Sequence, residues 1–308
     1  MRILWIDPIG TDVFTSDMLK ILEGAKREGT QVDAISLPPD RPKHVEYHAY
    51  EGLVVGDLVR ITYEASLEYD AIVIGCFYDV GLREAREVSR RAIVTAPCQS
   101  ATAIASNLGN TFSVLVGRRK WIPKMTENVH LYGHGHRMVS MRPLELGVHD
   151  FQTDHDLTCD RLLTEGRKAV QDDGAEVLIL GCTAEYGFNR QMQAELGVPV
   201  IDAATAPFKY AEFLAELAER FGWHPSRVCV MRRGRRDDRQ AADPPRHACG
   251  PRTWGGRGAG SDLRRVRSEL RVQGDDALDQ RRPVLGAPDL RGGRVRAGRL
   301  GAAPLVRP

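Results

Sequence analysis

No run of 18 consecutive apolar residues occurs in the 308-residue chain, which excludes a membrane-spanning helix on length alone. The first residues, Met1-Arg-Ile-Leu-Trp-Ile-Asp7, have neither the extended apolar segment nor the small-residue site of a cleavable signal. They read as a first β-strand, and the expected location is the cytoplasm. No Gly-x-Gly-x-x-Gly follows a strand pattern and no phosphate-loop signature occurs, which argues against nucleotide cofactors. Lysine is scarce: residues 1–230 hold seven, none in a pattern suited to pyridoxal phosphate, and residues 231–308 hold none. His134 and His136 lack a carboxylate or cysteine at ligating spacing and read as part of a loop. The expectation is therefore no cofactor and no metal. Cysteine is sparse as well, with six (Cys76, Cys98, Cys159, Cys182, Cys229 and Cys249). In a reducing compartment these are candidate chemistry or core before they are disulfides.

The formal net charge of +2 conceals two unlike parts. Residues 231–308 carry 19 Arg against 9 acidic residues, and contain no Ile, Phe, Tyr, Asn or Lys. Twelve Gly and seven Pro fill much of the remainder. Such a stretch cannot bury enough apolar area to offset its ordering entropy. It fits best the product of a GC-rich gene read out of frame. A natural disordered tail is the second reading and a basic arm for nucleic acid the third. The preceding 230 residues carry 24 basic and 32 acidic side chains, and all functional inference rests on residues 1–228.

That body alternates strand and helix patterns. Short continuous apolar runs, such as Asp70–Gly75 and Glu176–Gly181, alternate with amphipathic segments such as Tyr50–Leu67, where Val54, Leu58, Ile61 and Ala65 share a face. Strands apolar on both faces, each followed by a helix, predict an α/β fold with parallel sheets covered by helices. Internal similarity refines this. Ala71-Ile-Val-Ile-Gly-Cys76 matches Val177-Leu-Ile-Leu-Gly-Cys182, the following strands keep the same offset, and Ile3–Asp7 matches Ser113–Gly117. The expected architecture is two similar lobes, each a four-stranded parallel sheet flanked by helices, related by pseudo-twofold symmetry. Residues 1–97 with 207–228 form the first lobe, 98–206 the second, and 229–308 the tail.

Cys76 and Cys182 occupy matching places, each after an apolar strand and a glycine. Carboxyl ends of parallel strands line ligand crevices. A following helix N-terminus would favour a thiolate, lowering the pKa from about 8.5. Two such groups facing one carbon suit inversion by proton transfer: one thiolate removes the proton and the opposite thiol returns one. Donors for the developing oxyanion would come from Phe77, Tyr78, Thr183 and Ala184. Cys98 and Cys159 lie on apolar helix stripes without matched partners and read as core. Asp79 and Glu185, three residues past their cysteines, read as first-turn helix residues favoured by the dipole. His44 and His48, four apart, read as part of a loop after Pro42, with a shared helix face as the alternative. Tyr47 and Tyr50 read as ordinary packing, with cover for a small ligand as the alternative.

The segments Ile74-Gly-Cys-Phe-Tyr-Asp-Val-Gly-Leu82, Leu180-Gly-Cys-Thr183 and Gly197-Val-Pro-Val-Ile-Asp202 resemble the Asp/Glu/hydantoin racemase superfamily, and most of all its hydantoin racemase branch. The resemblance runs from residue 1 to about residue 222. It implies cofactor-independent two-base racemisation with Cys76 and Cys182 as the pair, a C-terminal helix crossing back to the first lobe, and frequent oligomers. Two places depart from the pattern. The family's usual Asn-Pro-Asn is Asp7-Pro8-Ile9 here, and the branch's Ala-Gly-Met after the second cysteine is Thr183-Ala184-Glu185. Asp7 and Pro8 are expected to contact substrate, and a carboxylate at Asp7 would repel an anion and accept N–H donors. The expected function is racemisation of a 5-substituted hydantoin or related ureide by a homo-oligomer that engages neither membrane nor nucleic acid. An aspartate- or glutamate-type racemase and an arylmalonate decarboxylase are the alternatives on the same scaffold. A non-catalytic small-molecule binder is the alternative from another class.

Overall fold

The computed structural model describes residues 1–226 and Val228, all within one compact unit. The tail at 229–308, with Cys229 and Cys249, lies outside the described residues. The elements are β1 (Arg2–Asp7), α1 (Thr15–Ala25), β2 (Gln31–Ser36), α2 (His48–Ala65), β3 (Ala71–Ile74), α3 (Leu82–Val88), β4 (Ile93–Thr95) and α4 (Pro97–Leu108). They continue as β5 (Phe112–Val116), α5 (Ile122–Leu131), β6 (Met138–Pro143), α6 (His155–Gln171), β7 (Val177–Leu180), α7 (Asn189–Leu196), β8 (Val200–Ile201) and α8 (Thr205–Phe221).

The strands form two four-stranded sheets, ordered β2-β1-β3-β4 and β6-β5-β7-β8. Every pairing is parallel. The identical order is the internal repeat read from the sequence. Its register differs in one detail. Ile3 pairs with Ala71, and Phe112 pairs with Val177. The first strands of the halves therefore align one residue earlier than the match of Ile3 to Ser113. Strands buried on both faces carry no apolar–polar alternation, so one-residue slips are invisible in them. β3, β5 and β7 are buried throughout, whereas β6 is half-exposed along its length and ends at Pro143, as suits an edge.

α2 buries Val54, Leu58, Ile61 and Ala65, the face that its spacing predicts. In α6 the buried stripe is Thr158, Cys159, Leu162, Gly166 and Ala169. The spacing of apolar residues in the sequence points to Cys159, Leu163, Gly166 and Val170 instead, but Leu163 and Val170 are only half-buried. Gly166 belongs to both stripes and sits at a close approach, where an added Cβ would lie 2.8 Å from Leu196. Cys98 and Cys159 are buried, as expected of core residues. α8 packs on the first sheet: Phe208, Ala211, Ala215 and Ala218 share a cluster with Ile3, Trp5 and Val73. Glu212 ties it down by accepting the Thr30 hydroxyl at 2.7 Å and the Arg27 backbone N–H at 2.9 Å. Among the described residues no helix is long and apolar enough to cross a membrane.

Candidate active site

A steric constraint shared by the two halves is the glycine before the cysteine. Gly75 N–H donates to the Ile6 carbonyl at 2.8 Å, and Gly181 N–H donates to the Leu115 carbonyl at 2.7 Å. Each bond extends the ladder one step past β3 or β7, so the chain turns only at the cysteine. A Cβ at Gly75 would strike the Trp5 indole ring, and one at Gly181 would lie 2.5 Å from the Leu115 carbonyl oxygen. Gly181→Ala is expected to cost about 1–3 kcal/mol by overpacking, because backbone cannot yield as a side chain can. Denaturant unfolding checks it, and an unchanged midpoint would refute the steric account.

Past the glycines the two turns follow one plan. Asp79 N–H donates to the Cys76 carbonyl at 2.9 Å, and Glu185 N–H donates to the Cys182 carbonyl at 3.1 Å. A side-chain amide then grips the carbonyl two residues after each cysteine. Asn128 Nδ2 donates to the Tyr78 carbonyl at 2.7 Å, and Gln152 Nε2 to the Ala184 carbonyl at 2.9 Å. The Thr183 hydroxyl donates to the Gly75 carbonyl at 3.2 Å, joining the two cysteine turns directly.

Both sulfurs open on one cavity. Its wall includes all eight residues expected from the sequence: Asp7, Pro8, Cys76, Phe77, Tyr78, Cys182, Thr183 and Ala184. Cys76 and Cys182 are free thiols that keep partial solvent access. Their protonation departs from expectation. Burial pushes Cys76 up to about 12, only partly offset by the Tyr78 backbone N–H on the sulfur. Cys182 is raised by burial first and then by Glu185, against a lowering by the Ala184 N–H. The helix N-termini invoked for a thiolate are not there, since the next helices begin only at Leu82 and Asn189. The donor set for an oxyanion shrinks accordingly. Tyr78 and Ala184 N–H groups serve the sulfurs, while Phe77 and Thr183 N–H groups have no protein acceptor among the described residues.

The acids beside the cysteines are not first-turn helix residues. Asp79 sits at φ 51°, unusual for a residue with a side chain. Its carboxylate accepts the Cys98 and Gln99 N–H groups at 2.8 and 2.9 Å, capping α4, the helix after the next strand. Glu185 is fully buried, and neither of its carboxyl oxygens has a hydrogen bond of ordinary geometry. Burial raises it well above the ordinary range; the nearby Cys182 and Gly181 N–H groups offset this only in part.

Asp7 ends β1 in the cavity wall, accepting the Trp5 indole N–H at 2.6 Å and the Thr15 hydroxyl at 3.2 Å. Burial raises it from 3.8 to about 6. Between those values the folded protein holds a proton that the unfolded chain has lost. Its contribution to stability is full below 3.8 and is lost as pH rises through 6. Asp7→Asn removes this loss, so the variant should gain about 2–3 kcal/mol relative to the parent between pH 4 and pH 7. Urea titrations at both values test this, and a pH-independent difference would contradict it.

Residues 3–211 match the family model described as Asp/Glu/Hydantoin racemase. The chain belongs to this racemase family. A hydantoin racemase of Pseudomonas sp. (strain NS671) is 33% identical over 221 residues, covering 71% of this chain and 88% of the relative. One of Rhizobium meliloti is 34% identical over 215 residues, with coverage of 70% and 88%. Among solved structures, allantoin racemase from Klebsiella pneumoniae superposes with a TM-score of 0.70 at 23% identity, covering 76% of this chain and 95% of that one. The allantoin racemase of Pseudomonas fluorescens gives 0.64 at 23%, with coverage of 83% and 100%.

The racemase also draws into its cavity residues that the sequence did not single out for the site, among them Phe14, Glu46, Trp121, Met125 and Val148. His44 joins them, and its ring lies 5.2 Å from Tyr50, 5.9 Å from Tyr47 and 6.4 Å from His149. His149 in turn stacks on Phe14 at 5.5 Å. Of these rings Phe14 and His44 line the cavity, and their contacts with His149 join segments of the two lobes beside it. A Pro-flanked loop and a distant segment carry no local pattern that could have placed them together.

Proposed function

We propose that this racemase inverts C5 of a 5-substituted hydantoin or a related cyclic ureide, without a cofactor, using Cys76 and Cys182 as its acid–base pair. The observation that carries the reading is one apolar cavity holding two free thiols and two carboxylates, Asp7 and Glu46, with no Lys or Arg in its wall among the described residues. An α-amino acid brings a carboxylate that such a wall repels and leaves without a counter-ion. A hydantoin brings N–H donors, carbonyl acceptors and no charge. Its C5 proton is acidified by the adjacent carbonyl, within reach of a sulfur base.

The steps conserve protons. One cysteine, as thiolate, takes the C5 proton and becomes a thiol. The electron pair moves onto the C4 carbonyl oxygen, for which Phe77 and Thr183 in the cavity wall would supply the N–H donors. The other cysteine gives its proton to the opposite face and becomes the thiolate. Product release leaves the pair ready to act in the reverse sense. The names of the relatives support the substrate class. Persistence of two free thiols suits a reducing cytoplasm, and the family resemblance supports a homo-oligomer, which sedimentation velocity would test.

Incubation in deuterium oxide with single enantiomers of 5-substituted hydantoins, allantoin, aspartate and glutamate tests the proposal. Deuterium at C5 with matching loss of optical rotation is expected for the ureides. Exchange confined to the amino acids would overturn it.

A further inference from the structure

The cavity wall carries a carboxylate that two-thiol chemistry leaves unused. Glu46 lies on the loop between β2 and α2, is 6% exposed, and lines the same cavity as both sulfurs. Its two oxygens are unequally served. Oε2 accepts the Trp121 indole N–H at 3.2 Å and pairs with the Arg118 guanidinium at 3.2 Å. Oε1 accepts no hydrogen bond from the described residues; the His44 Nδ1 lies 3.9 Å away, beyond hydrogen-bond range. The main chain there is pinned as well, because Lys120 Nζ donates to the Glu46 carbonyl at 3.0 Å. Glu46 therefore cannot easily turn Oε1 toward another protein donor. Oε1 is not among the buried oxygens that lack a partner; it keeps solvent contact at the cavity wall, where a ligand N–H can take the place of water as its donor. Glu46 also lies close enough to Cys182 for its charge to act on that thiol.

We propose that Glu46 determines specificity: its Oε1 accepts a ring N–H of the ureide, and with Asp7 it excludes carboxylate-bearing substrates. The assignment rests on the hydantoin reading above. The partition of the oxygens dictates what a glutamine would do. Trp121 and Arg118 both need an acceptor, so the amide oxygen would face them. The amide NH2 would then replace Oε1 and meet the substrate N–H donor to donor.

The test compares kcat/KM for 5-benzylhydantoin and its N1-methyl and N3-methyl derivatives in the wild type, Glu46→Gln and Arg118→Met. In the wild type, methylation of the nitrogen that Glu46 reads should lower kcat/KM about tenfold or more, since a site built to accept an N–H rejects an analogue lacking it. Glu46→Gln should lower kcat/KM for the parent compound about 10–100-fold, mainly through KM, and shrink the methylation penalty to about threefold or less. Arg118→Met removes the ion pair but keeps the acceptor, so it should retain the penalty. Equal wild-type turnover of all three compounds would overturn the proposal without any variant. So would an undiminished penalty in Glu46→Gln, or Arg118→Met erasing it as fully, which would make Glu46 only a latch between loop and second lobe. Each of these results leaves the two-thiol hydantoin reading intact. Absence of exchange with every hydantoin would remove that reading and this assignment together.

Discussion

Cys76→Ala and Cys182→Ala are each expected to slow optical inversion by about 10²–10⁴-fold, the range for losing a positioned acid or base. Neither should unfold the protein. The turns that carry the cysteines are held by the glycine ladder bonds, by Asn128 and Gln152, and by the Thr183–Gly75 link, none of which involves sulfur. The truncation deletes one atom at the wall of an open cavity, where no sealed void results. The informative readout is hydrogen exchange without inversion. With one thiol left, a substrate proton can leave and return only on that thiol's face. Cys76→Ala should exchange one enantiomer of a hydantoin in deuterium oxide, and Cys182→Ala the other. Chiral chromatography with mass detection reads both quantities. Wild-type inversion in either variant would remove that cysteine from the acid–base pair.

The second large effect concerns pH. Burial pushes Cys76 up to about 12 and Cys182 well upward as well, so near neutrality the resting pair is two thiols. One of them must lose its proton before it can act as a base. Below the pKa the thiolate fraction grows tenfold per pH unit, so kcat/KM should rise with a slope near one, about 100-fold from pH 7 to pH 9. Initial rates at sub-saturating substrate measure this directly. A plateau already reached by pH 8 would mean that the N–H groups of Tyr78 and Ala184 stabilise the sulfur anion far more than burial opposes it. The depressed pKa expected from helix N-termini would predict that plateau; the late starts of α3 and α7 predict the slope.

The strands were readable because their burial is complete. Runs such as Ala71–Ile74 and Val177–Leu180 admit no other placement than the middle of a helix-covered parallel sheet. The Gly-Cys pairs were readable for a related reason: one steric demand arises at two equivalent places, against Trp5 in one half and Leu115 in the other. What escaped detection depends on contacts between distant segments. Glu46 is a charged residue in a loop, and its burial comes from Arg118, Lys120 and Trp121 in the other half. Asp79 falls outside the first turn of α3 because Asp79 and Gly81, both at positive φ, hold the chain out of the helix until Leu82. The conformation at Asp79 is sustained by its bonds to α4, which no local pattern encodes.

The two halves differ where they might have been alike: Asp79 is anchored by two backbone donors, whereas neither carboxyl oxygen of the corresponding Glu185 has a hydrogen bond of ordinary geometry. Mirror-image substrates have equal free energies, so the interconversion constant is one, and the Haldane relation equates kcat/KM in the two directions. The mismatch between the lobes is thus forbidden from favouring either hand in that ratio. It can surface only as compensating inequalities, one enantiomer saturating at lower concentration and turning over more slowly than its reflection.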